Sequence, residues 1–468
     1  MILIVGCGYL GETLADDLHG RGHQVLGVTH SAESAGRLSE TKPWRAIACD
    51  ISDGAAVSKL GNEPVKTVIH CASSSRGGPD AYRRVFLEGL NHLRETFPSA
   101  HLLFTSSTSV YTQVDGSLVD EDTPCQPQRE TGRILQEAEQ FVLAQNGTVA
   151  RLAGIYGPER SVVLKNLLLK EAKIEGNDGQ GRLLNQIHRD DAVSAIRLLV
   201  EDRVSGVFNV VDSTAQTQRE LYTLLAAKFN APMPPVAEPN HERKRPYTHK
   251  AVSNNKLRAL GWRPEYPGYM DAIDRDPLLA SSILQQCLDA SGSIPRAPNI
   301  VVIGLMGCGK STVGRLVAQK IGFQVVDTDH LVSDTAHQSI PAIFQREGEV
   351  GFRKRETAAL LSLLGKRGHV IATGGGIVTQ PHNLPLLKHL GYVVWLNAEP
   401  STLAKRTSSS NDRPLLQNED PEAKLRALLD VRGPLYRKLA DLRIRTDDLS
   451  PQETAYGIAE SARLHFCT

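Results

Sequence analysis

The chain has 468 residues, a formal net charge of +1 and 22% charged residues. This length exceeds what one hydrophobic core usually organises, so we expect two or three domains; the balanced charge predicts no nucleic-acid and no membrane partner. The seven cysteines are scattered without a C-x-x-C pair, which favours reduced thiols over disulfides or zinc. No targeting segment and no bilayer-length apolar run is apparent, so we expect a cytoplasmic location.

The N-terminal half starts with an apolar strand, Met1–Val5, followed by G-x-G-x-x-G and a helical pattern. Such a loop between strand and helix brings backbone N–H groups close to a pyrophosphate, so it predicts dinucleotide binding. The predicted binding residues are Gly6, Gly8, Tyr9, Leu10 and Gly11. The acidic residue that reads a ribose 2′-hydroxyl about 20 positions later is missing. His30, Ser31 and Arg37 could instead receive a 2′-phosphate, which favours NADP over NAD.

Strands and helices continue to alternate, and this half resembles the extended short-chain dehydrogenase/reductase family of the NAD-dependent epimerase/dehydratase type. The resemblance covers roughly residues 1–273 and implies a Rossmann-type doubly wound sheet. It would place Asp50 near the adenine. The matching stretches are Cys49–Ile51, His70–Ala72, Ser106–Tyr111, Arg151–Pro158, Ile187–Asp191 and Ser253–Pro264.

The chemistry of that family needs a tyrosine and, four residues later, a lysine. Helix register puts this pair at Arg129 and Arg133, and an arginine does not exchange a proton near neutral pH. Tyr111 is the nearby phenol, but it belongs to a different motif. We therefore predict NADP or NAD binding without the standard oxidoreductase chemistry. Two alternatives stay open: an active oxidoreductase or epimerase, and a pure interaction or sensor module.

A small, polar, proline-bearing stretch at 289–298 has the composition of a linker. It divides the chain into a dinucleotide-binding domain, 1–288, and a second domain, 299–468. We expect a helix over Leu278–Ala290 to close the first domain.

The second domain starts with the apolar run Ile300–Ile303 and then G-x-x-x-x-G-K-S-T, the phosphate-binding loop of nucleoside triphosphate enzymes. Lys310 is suited to the β- and γ-phosphates, and the Ser311 hydroxyl to Mg²⁺. We expect Asp327 and Asp329 to alternate onto one side at the end of the next strand, where they suit a magnesium shell and a substrate hydroxyl. A helix N-cap at Asp329 is the alternative interpretation.

Further motifs follow in order along the chain. Arg353 and Glu356 are spaced i,i+3 on a predicted helix, so the glutamate can orient the guanidinium. A strand runs into Gly374–Gly376, where bare backbone N–H groups can approach a ligand. A polar loop carrying Arg413 predicts a lid, and Arg432 lies near the end of a helix.

GLMGCGKST, DTD, GExxFRxxE, GGG, RPLL and RGPLY, in this order over about 170 residues, resemble the shikimate kinase family. The resemblance implies a P-loop kinase domain of the nucleoside-monophosphate-kinase type, with a parallel five-stranded sheet and a lid. ATP and shikimate would be the substrates and Mg²⁺ the metal; a gluconate-kinase-type enzyme is the alternative.

The resemblance also implies roles for individual residues. Lys310, Asp329 and Arg413 would be catalytic, with Asp329 acting as a base or only orienting the hydroxyl, and Ser311 and Asp327 would hold the metal. The predicted ATP-binding residues are Gly307, Cys308, Gly309, Lys310, Ser311, Thr312, Arg406 and Arg413, with Arg406 stacking on the adenine. The predicted shikimate-binding residues are Asp329, Arg353, Gly374, Gly375, Gly376 and Arg432.

Overall fold

A seven-stranded parallel sheet organises the N-terminal part of the chain in the computed structural model, which describes residues 1–74, 77–176, 179–239, 247–408 and 420–467. The strands of this half are β1 Ile2–Val5, β2 Val25–Thr29, β3 Arg45–Ala48, β4 Thr67–His70, β5 His101–Ser107, β6 Leu118–Val119, β7 Thr148–Leu152, β8 Gly154–Tyr156, β9 Ile174–Glu175, β10 Leu183–Leu184, β11 Gln186–His188, β12 Gly206–Val210, β13 Gln216–Thr217, β14 Val236–Ala237 and β15 Ala251–Val252. The large sheet has the order β12-β7-β5-β4-β1-β2-β3, and the remaining strands form two-stranded pairs.

Helices alternate with these strands. They are α1 Gly11–Gly20, α2 Ala32–Thr41, α3 Gly54–Ser58, α4 Pro79–Tyr82, α5 Gly89–Thr96, α6 Glu130–Leu143, α7 Val162–Leu168, α8 Arg189–Glu201, α9 Gln218–Lys228, α10 Asn255–Ala259, α11 Tyr269–Arg275 and α12 Pro277–Ser291. The strand order reverses between β1 and β4, and the loop after β1 lies at the carboxyl edge of the sheet beside this switch point. This parallel order, with its reversal at β1, is that of a doubly wound sheet, so the predicted Rossmann-type architecture is confirmed. Doubly wound sheets bind their ligands at the switch point.

The second sheet has five parallel strands in the order β17-β18-β16-β19-β20. Its strands are β16 Ile300–Ile303, β17 Gln324–Asp327, β18 His369–Ala372, β19 Tyr392–Asn397 and β20 Leu442–Arg445. The central strand β16 is fully buried because both faces of a parallel sheet are covered by helices. The predicted five-stranded parallel sheet is confirmed.

The helices of this half are α13 Lys310–Ile321, α14 Thr328–Ala336, α15 Ile340–Ser362, α16 Asn383–Leu390, α17 Pro400–Thr407, α18 Pro421–Leu439 and α19 Pro451–Cys467. Helix α15 is interrupted at Gly348, whose φ of 67° breaks the helical path just before the segment that carries Arg353. Among the described residues, no helix is both long and apolar enough to cross a membrane.

The chain forms two compact units whose boundaries differ from the predicted linker. The first comprises Met1–Gly157, Lys173–Leu221 and Val236–Ala272, and the second Pro158–Ala172, Tyr222–Pro235 and Ile273–Thr468. Helix α12 forms as predicted, but it belongs to the second unit, where it packs against α7 and α16. The expectation that this helix closes the first domain is therefore wrong. The division at 289–298 stays a prediction.

Candidate active site and dinucleotide-binding loop

The loop between β16 and α13 has the backbone shape that an anion-binding loop needs. Gly304, Gly307 and Gly309 all have positive φ, at 143°, 82° and 93°. A Cβ at Gly307 would lie 2.8 Å from the Thr407 methyl group, so only glycine fits between the loop and α17. Gly309 is the N-cap of the twelve-residue helix α13, whose unpaired N–H groups and dipole favour a phosphate group at this end.

Lys310, the first residue of α13, turns back onto its own loop. Its Nζ donates to the carbonyl oxygens of Gly304 and Leu305, both at 2.9 Å. Of the other predicted ATP contacts on this loop, Cys308 is buried and Thr312 is exposed. These carbonyls satisfy the hydrogen-bond donors of the ammonium group within the loop. Phosphate oxygens that replaced them would accept charge-assisted hydrogen bonds from a full positive charge.

Ser311 and Asp327 meet, as their predicted shared metal role requires. The Ser311 hydroxyl donates to Asp327 Oδ2 at 2.7 Å. Asp327 ends β17 and caps α14, accepting from the Asp329 backbone N–H at 3.0 Å. The predicted alternation of the two aspartates along a strand is therefore wrong, because α14 begins at Thr328 and Asp329 lies in its first turn. The N-cap interpretation applies, but to Asp327.

A hydroxyl and a carboxylate side by side are oxygen ligands that suit Mg²⁺. Within the described ranges, no group of three or more His, Cys, Asp and Glu side chains is arranged to hold a metal. Magnesium in nucleotide sites keeps several waters and binds through one or two protein oxygens plus substrate phosphates, so it needs no such group. Ser311 and Asp327 fit that pattern.

Arg353 is buried and ion-paired on both sides of its guanidinium. Nη1 donates to Glu356 Oε2 at 2.5 Å, and Nη2 donates to Glu349 Oε1 at 2.9 Å. The i,i+3 prediction for Arg353 and Glu356 is borne out by this contact. Glu349 has no role predicted from the sequence, although its i,i+4 spacing on the same helix was a readable signal.

The triple-glycine loop packs directly against these charged groups. A Cβ at Gly374 would lie 2.5 Å from Glu356 Oε1 and 2.6 Å from Asp329 Oδ1, and one at Gly376 would lie 2.3 Å from the Arg353 guanidinium. The Gly374 N–H donates to the buried Thr328 hydroxyl at 3.0 Å. The loop needs glycine because charged side chains approach its backbone, which the sequence alone did not show.

Two carboxylate oxygens beside Gly374 have no hydrogen-bond partner among the described residues, namely Asp329 Oδ1 and Glu356 Oε1. Burial raises the pKa of Glu356 to about 7. Burial, with the nearby Asp327 carboxylate, also raises the pKa of Asp329. A buried acceptor without a partner is costly, so both oxygens favour a ligand that donates hydrogen bonds.

Arg432 comes from α18 and reaches the same loop. Its Nη1 donates to the Gly375 carbonyl oxygen at 3.2 Å, and the Tyr436 hydroxyl donates to the same oxygen. Arg353 and Arg432 therefore lie at neighbouring glycines of one loop, although 79 positions separate them in the sequence. Tyr436 was not identified from the sequence, where it appeared only as the last residue of RGPLY.

Arg406 near the end of α17 contacts Thr446. Its Nη1 donates to the Thr446 hydroxyl at 3.1 Å, and Nη2 donates to the Thr446 carbonyl at 2.6 Å. Its predicted stacking on adenine stays a prediction. Arg413 and the predicted lid around it lie outside the described residues, so their roles also stay predictions.

In the N-terminal half, the three glycines of the Gly6–Gly11 loop have different surroundings. A Cβ at Gly6 would lie 2.4 Å from the Ala72 backbone, and one at Gly11 would lie 2.3 Å from the Gly6 carbonyl oxygen. A Cβ at Gly8 would meet no protein atom within 4 Å. The first and third glycines therefore serve tight packing, while open space lies at the second, where a pyrophosphate approaches in such loops.

The other predicted dinucleotide contacts lie around this loop. Leu10 is buried, and the Arg189 guanidinium lies 5.3 Å from the Tyr9 ring centroid. Asp50 follows β3, and its Oδ1 accepts from the backbone N–H of Ser52 at 2.9 Å. Their predicted contacts with a dinucleotide stay predictions.

Two of the three residues expected to favour NADP, Ser31 and Arg37, are engaged within the protein, whereas His30 is exposed. The Ser31 hydroxyl caps α2 by accepting from the Ser34 N–H at 3.2 Å. Arg37 Nη2 donates to Glu12 Oε2 at 3.0 Å. A 2′-phosphate would have to compete with Glu12 for Arg37, so the preference for NADP over NAD stays a prediction.

The two arginines at the predicted positions of the tyrosine–lysine pair lie at the start of α6. Arg129 is its N-cap, and Arg133 in the first turn donates to the backbone carbonyl oxygens of Pro127 and Gln128. Tyr111 is fully buried, and its hydroxyl donates to Asn209 Oδ1 at 3.0 Å and accepts from Arg151 Nη1 at 2.7 Å.

Burial raises the pKa of Tyr111 to about 12. Its hydroxyl is therefore held as a neutral structural group with both partners in place.

One buried amine in this half was not identified from the sequence. Lys250 is only 3% exposed, and its Nζ donates to the Tyr111 carbonyl oxygen at 2.9 Å. Burial lowers the pKa of Lys250 to about 8. No motif surrounds this lysine, so its position depends on long-range packing that the sequence pattern does not reveal.

Comparisons with known proteins match the two halves of the chain to two different families. Residues 306–463 match the family model described as shikimate kinase, and residues 2–211 match the NAD dependent epimerase/dehydratase family. A shikimate kinase of Marinomonas sp. (strain MWYL1) is 46% identical over 172 residues, which are 36% of this chain and 94% of that protein. One of Cupriavidus pinatubonensis (strain JMP 134 / LMG 1197) is 49% identical over 158 residues, which are 34% of this chain and 82% of that protein.

Among solved structures, the UDP-glucose 4-epimerase of Thermus thermophilus in complex with NAD is similar to the N-terminal part. It is 22% identical, and the match covers 60% of this chain and 99% of that protein with a TM-score of 0.52. At this identity the similarity is one of fold.

Proposed function

The chain belongs to the shikimate kinase family through its C-terminal half, and we propose that this half transfers the γ-phosphoryl group of ATP to the 3-hydroxyl of shikimate. The observation that carries the proposal is the buried Asp329 Oδ1, which lacks a partner among the described residues and lies beside Gly374. The substrate hydroxyl would supply the missing hydrogen bond. The match to the shikimate kinase family model leaves the gluconate-kinase alternative without support.

At the nucleotide end, the phosphate-binding loop would hold the β- and γ-phosphates through its backbone N–H groups. Lys310 would exchange the carbonyls of Gly304 and Leu305 for phosphate oxygens and neutralise charge as the phosphoryl group moves. A magnesium ion bound with ATP would be held by Ser311 and Asp327, and its charge would offset that of the phosphates. Arg406 and Arg413 complete the proposed ATP contacts.

At the acceptor end, the Arg353 and Arg432 guanidinium groups would bind the shikimate carboxylate, which planar forks recognise bidentately. Both side chains reach the Gly374–Gly376 loop, Arg432 through the Gly375 carbonyl and Arg353 through its contact with Gly376. Glu356 and Glu349 hold the Arg353 guanidinium in place. This end of the site would therefore be ordered before shikimate binds.

The reaction itself needs mainly positioning and charge stabilisation. The attacking 3-hydroxyl oxygen forms a bond to the γ-phosphorus, the bond between that phosphorus and the β–γ bridging oxygen breaks, and ADP leaves. Asp329 accepts the hydrogen bond of the attacking hydroxyl and, in this proposal, its proton. The raised pKa of Asp329 brings it closer to neutral pH, which favours this role.

For the N-terminal half we propose dinucleotide binding, NADP in preference to NAD, without turnover. The open space at Gly8 supports binding, and the engaged hydroxyl of Tyr111 supports the lack of standard acid–base chemistry. The chain would act in the cytoplasm, in line with the six free cysteines found among the described residues.

The deciding experiment is an ATP-dependent kinase assay of the full chain with shikimate and, in parallel, with gluconate. Phosphorylation of shikimate alone is expected. Arg353→Ala should raise the KM for shikimate far more than the KM for ATP, because losing one partner of a buried charge contact costs about 2–5 kcal/mol. Arg355→Ala is the matched control, because Arg355 pairs with Glu347 outside the site. Equal losses for both substrates would place Arg353 at the nucleotide.

A further inference from the structure

Helix α16 makes a contact at its C-terminal end that no kinase motif explains. Its residue His389 is 1% exposed, and the ring Nδ1 lies 2.6 Å from the Pro295 carbonyl oxygen. The fully buried ring of Phe229 packs against the His389 ring with centroids 5.3 Å apart. Phe229 belongs to Tyr222–Pro235, which we call the brace segment; it is part of the same compact unit as α16.

One further hydrogen bond strengthens the attachment of the brace segment, and burial lowers the pKa of the His389 ring to about 4. Asn230 Nδ2 donates to the Arg296 carbonyl oxygen at 2.6 Å. The ring is therefore neutral at physiological pH, so the contact between Phe229 and His389 does not depend on protonation of the histidine there.

The opposite end of α16 leads to the proposed shikimate site. Asn383, its first residue, donates from Nδ2 to the Ile377 carbonyl oxygen at 2.9 Å, immediately after the triple-glycine loop. Asn383 Oδ1 accepts from the Thr357 hydroxyl at 2.9 Å, and that hydroxyl lies 3.1 Å from the Arg353 carbonyl oxygen. One eight-residue helix thus connects the Phe229 contact to both the glycine loop and the Arg353 helix.

The brace segment lies outside the part of the chain that matches the kinase family. The match to the shikimate kinase model begins at residue 306, and 172 residues of this chain account for 94% of the Marinomonas kinase. That relative therefore has little chain left for a counterpart of Tyr222–Pro235. A segment for which this relative has little room, yet which contacts a helix leading to the substrate loop, is suited to tuning the site.

We infer that the brace segment positions the shikimate site through α16, with Phe229 as a positioning residue. Phe229 holds the His389 end of the helix, and the Asn383 end holds the glycine loop and the Arg353 helix in the geometry that receives the substrate. The inference rests on the proposed function, because it takes Arg353 and Gly374–Gly376 as the shikimate contacts. It predicts coupling between the brace segment and shikimate, with ATP unaffected.

The test uses the full chain and steady-state kinetics with each substrate varied. Phe229→Ala should raise the KM for shikimate about threefold to tenfold and leave the KM for ATP within about twofold, a range that fits mutations between coupled sites. Phe229→Leu should restore most of the affinity because it keeps an apolar contact on His389. Phe466→Ala is the control: it removes an aromatic ring of the same unit that packs on Phe323 and His465 instead of α16.

Hydrogen exchange of the wild-type chain provides a readout that does not depend on any variant. Because coupling is reciprocal, shikimate should slow exchange of the Phe229 and Ala231 amides, which donate to the carbonyls of Leu225 and Ala226. This measurement decides the matter if Phe229→Ala fails to fold, as judged by thermal denaturation.

An unchanged KM for shikimate in Phe229→Ala, or equal rises for both substrates, would overturn the inference. Unchanged exchange in the wild-type chain would do the same. The variant Arg353→Ala distinguishes failure of the brace inference from failure of the proposed shikimate site. If Arg353→Ala raises the KM for shikimate and Phe229→Ala does not, the brace is wrong and the proposed site stands; if neither does, the proposed site fails.

Discussion

Arg353 and Glu356 form a buried ion pair one turn apart on α15, with Arg353 Nη1 2.5 Å from Glu356 Oε2. The other carboxylate oxygen of Glu356 has no partner among the described residues and lies against Gly374. Glu356 is therefore in contact with both the proposed carboxylate-binding arginine and the proposed substrate loop. Its protonation state should affect how firmly shikimate is held.

Glu356→Gln should remove a pH dependence of shikimate binding. Burial raises the pKa of Glu356 to about 7, so the charged form that best orients Arg353 is lost as pH falls through that value. In the wild-type enzyme the KM for shikimate should rise as pH falls from about 8 to about 6, whereas Glu356→Gln should show a high KM throughout. The measurement is KM for shikimate against pH.

The free energy of unfolding should change with pH in the opposite direction to the affinity for shikimate. Because the folded-state pKa is raised, Glu356 stabilises the native state fully below its ordinary pKa of 4.5, and this contribution is lost as pH rises through about 7. Relative to Glu356→Gln, the wild-type chain should lose stability across that window. Glu347→Gln is the control, since hydrogen bonds from Arg355 and Arg346 lower the pKa of Glu347 to about 2, well below that window. Parallel pH profiles for wild type and Glu356→Gln would contradict the assignment.

Lys310→Met should abolish most phosphoryl transfer while the chain stays folded. It removes the positive charge that follows the γ-phosphate into the transition state, and loss of one such group costs about 10²–10³-fold in kcat. The assay is kcat with saturating ATP and shikimate. Lys320→Met makes the same change at an exposed position of the same helix and should be neutral. A near-wild-type kcat for Lys310→Met would refute the role of the phosphate-binding loop.

Gly374→Ala should damage the acceptor site without affecting nucleotide binding. The added methyl group would lie 2.5 Å from Glu356 Oε1 and 2.6 Å from Asp329 Oδ1, so one or both carboxylates must shift. We expect lower kcat and weaker shikimate binding, with an unchanged dissociation constant for ATP by calorimetry. Gly457→Ala has open space around its Cβ within α19 and should be neutral or slightly stabilising, by about 1 kcal/mol at most.

Gly8→Asp should remove dinucleotide binding and leave kinase activity intact. The space at Gly8 admits a side chain when no ligand is present, but a carboxylate there would occupy the proposed pyrophosphate position and repel its charge. Fluorescence titration of the full chain with NADPH and NADH measures the effect. Gly20→Asp, at the far end of α1, is the control. Unchanged affinity in Gly8→Asp would exclude this loop as the binding site.

A turnover screen of the same preparations with NAD(P) and sugar nucleotides tests the second half of that proposal. No oxidation, reduction or epimerisation is expected, because Arg133 hydrogen bonds to backbone carbonyls and the Tyr111 hydroxyl is held by Arg151 and Asn209. Robust turnover would show that another group supplies the proton, and Lys250, whose Nζ donates to the Tyr111 carbonyl oxygen, would be the first candidate to test.

The features that depend on local pattern could be predicted from the amino-acid sequence. Apolar β-branched runs followed by glycine-rich turns and helical periodicity correctly predicted both parallel sheets and the two glycine-rich loops between strand and helix. The spacing of Arg353 and Glu356 predicted their contact, because residues three apart on a helix share a face. Each strand, each glycine-rich loop and each helix is set within about a dozen residues, so these elements can be predicted without knowledge of the tertiary packing.

Which polar groups lack partners among the described residues, and which segments pack together, became clear only from the three-dimensional fold. Asp329 lies in a helix and not on a strand because α14 begins at Thr328, and Gly374 faces its carboxylate only once β18 and α14 are packed together. Tyr111 meets Asn209 across 98 positions, and Phe229 meets His389 across 160. Such contacts depend on burial and on partners from distant segments of the chain. Neither can be predicted from the local periodicity of the sequence.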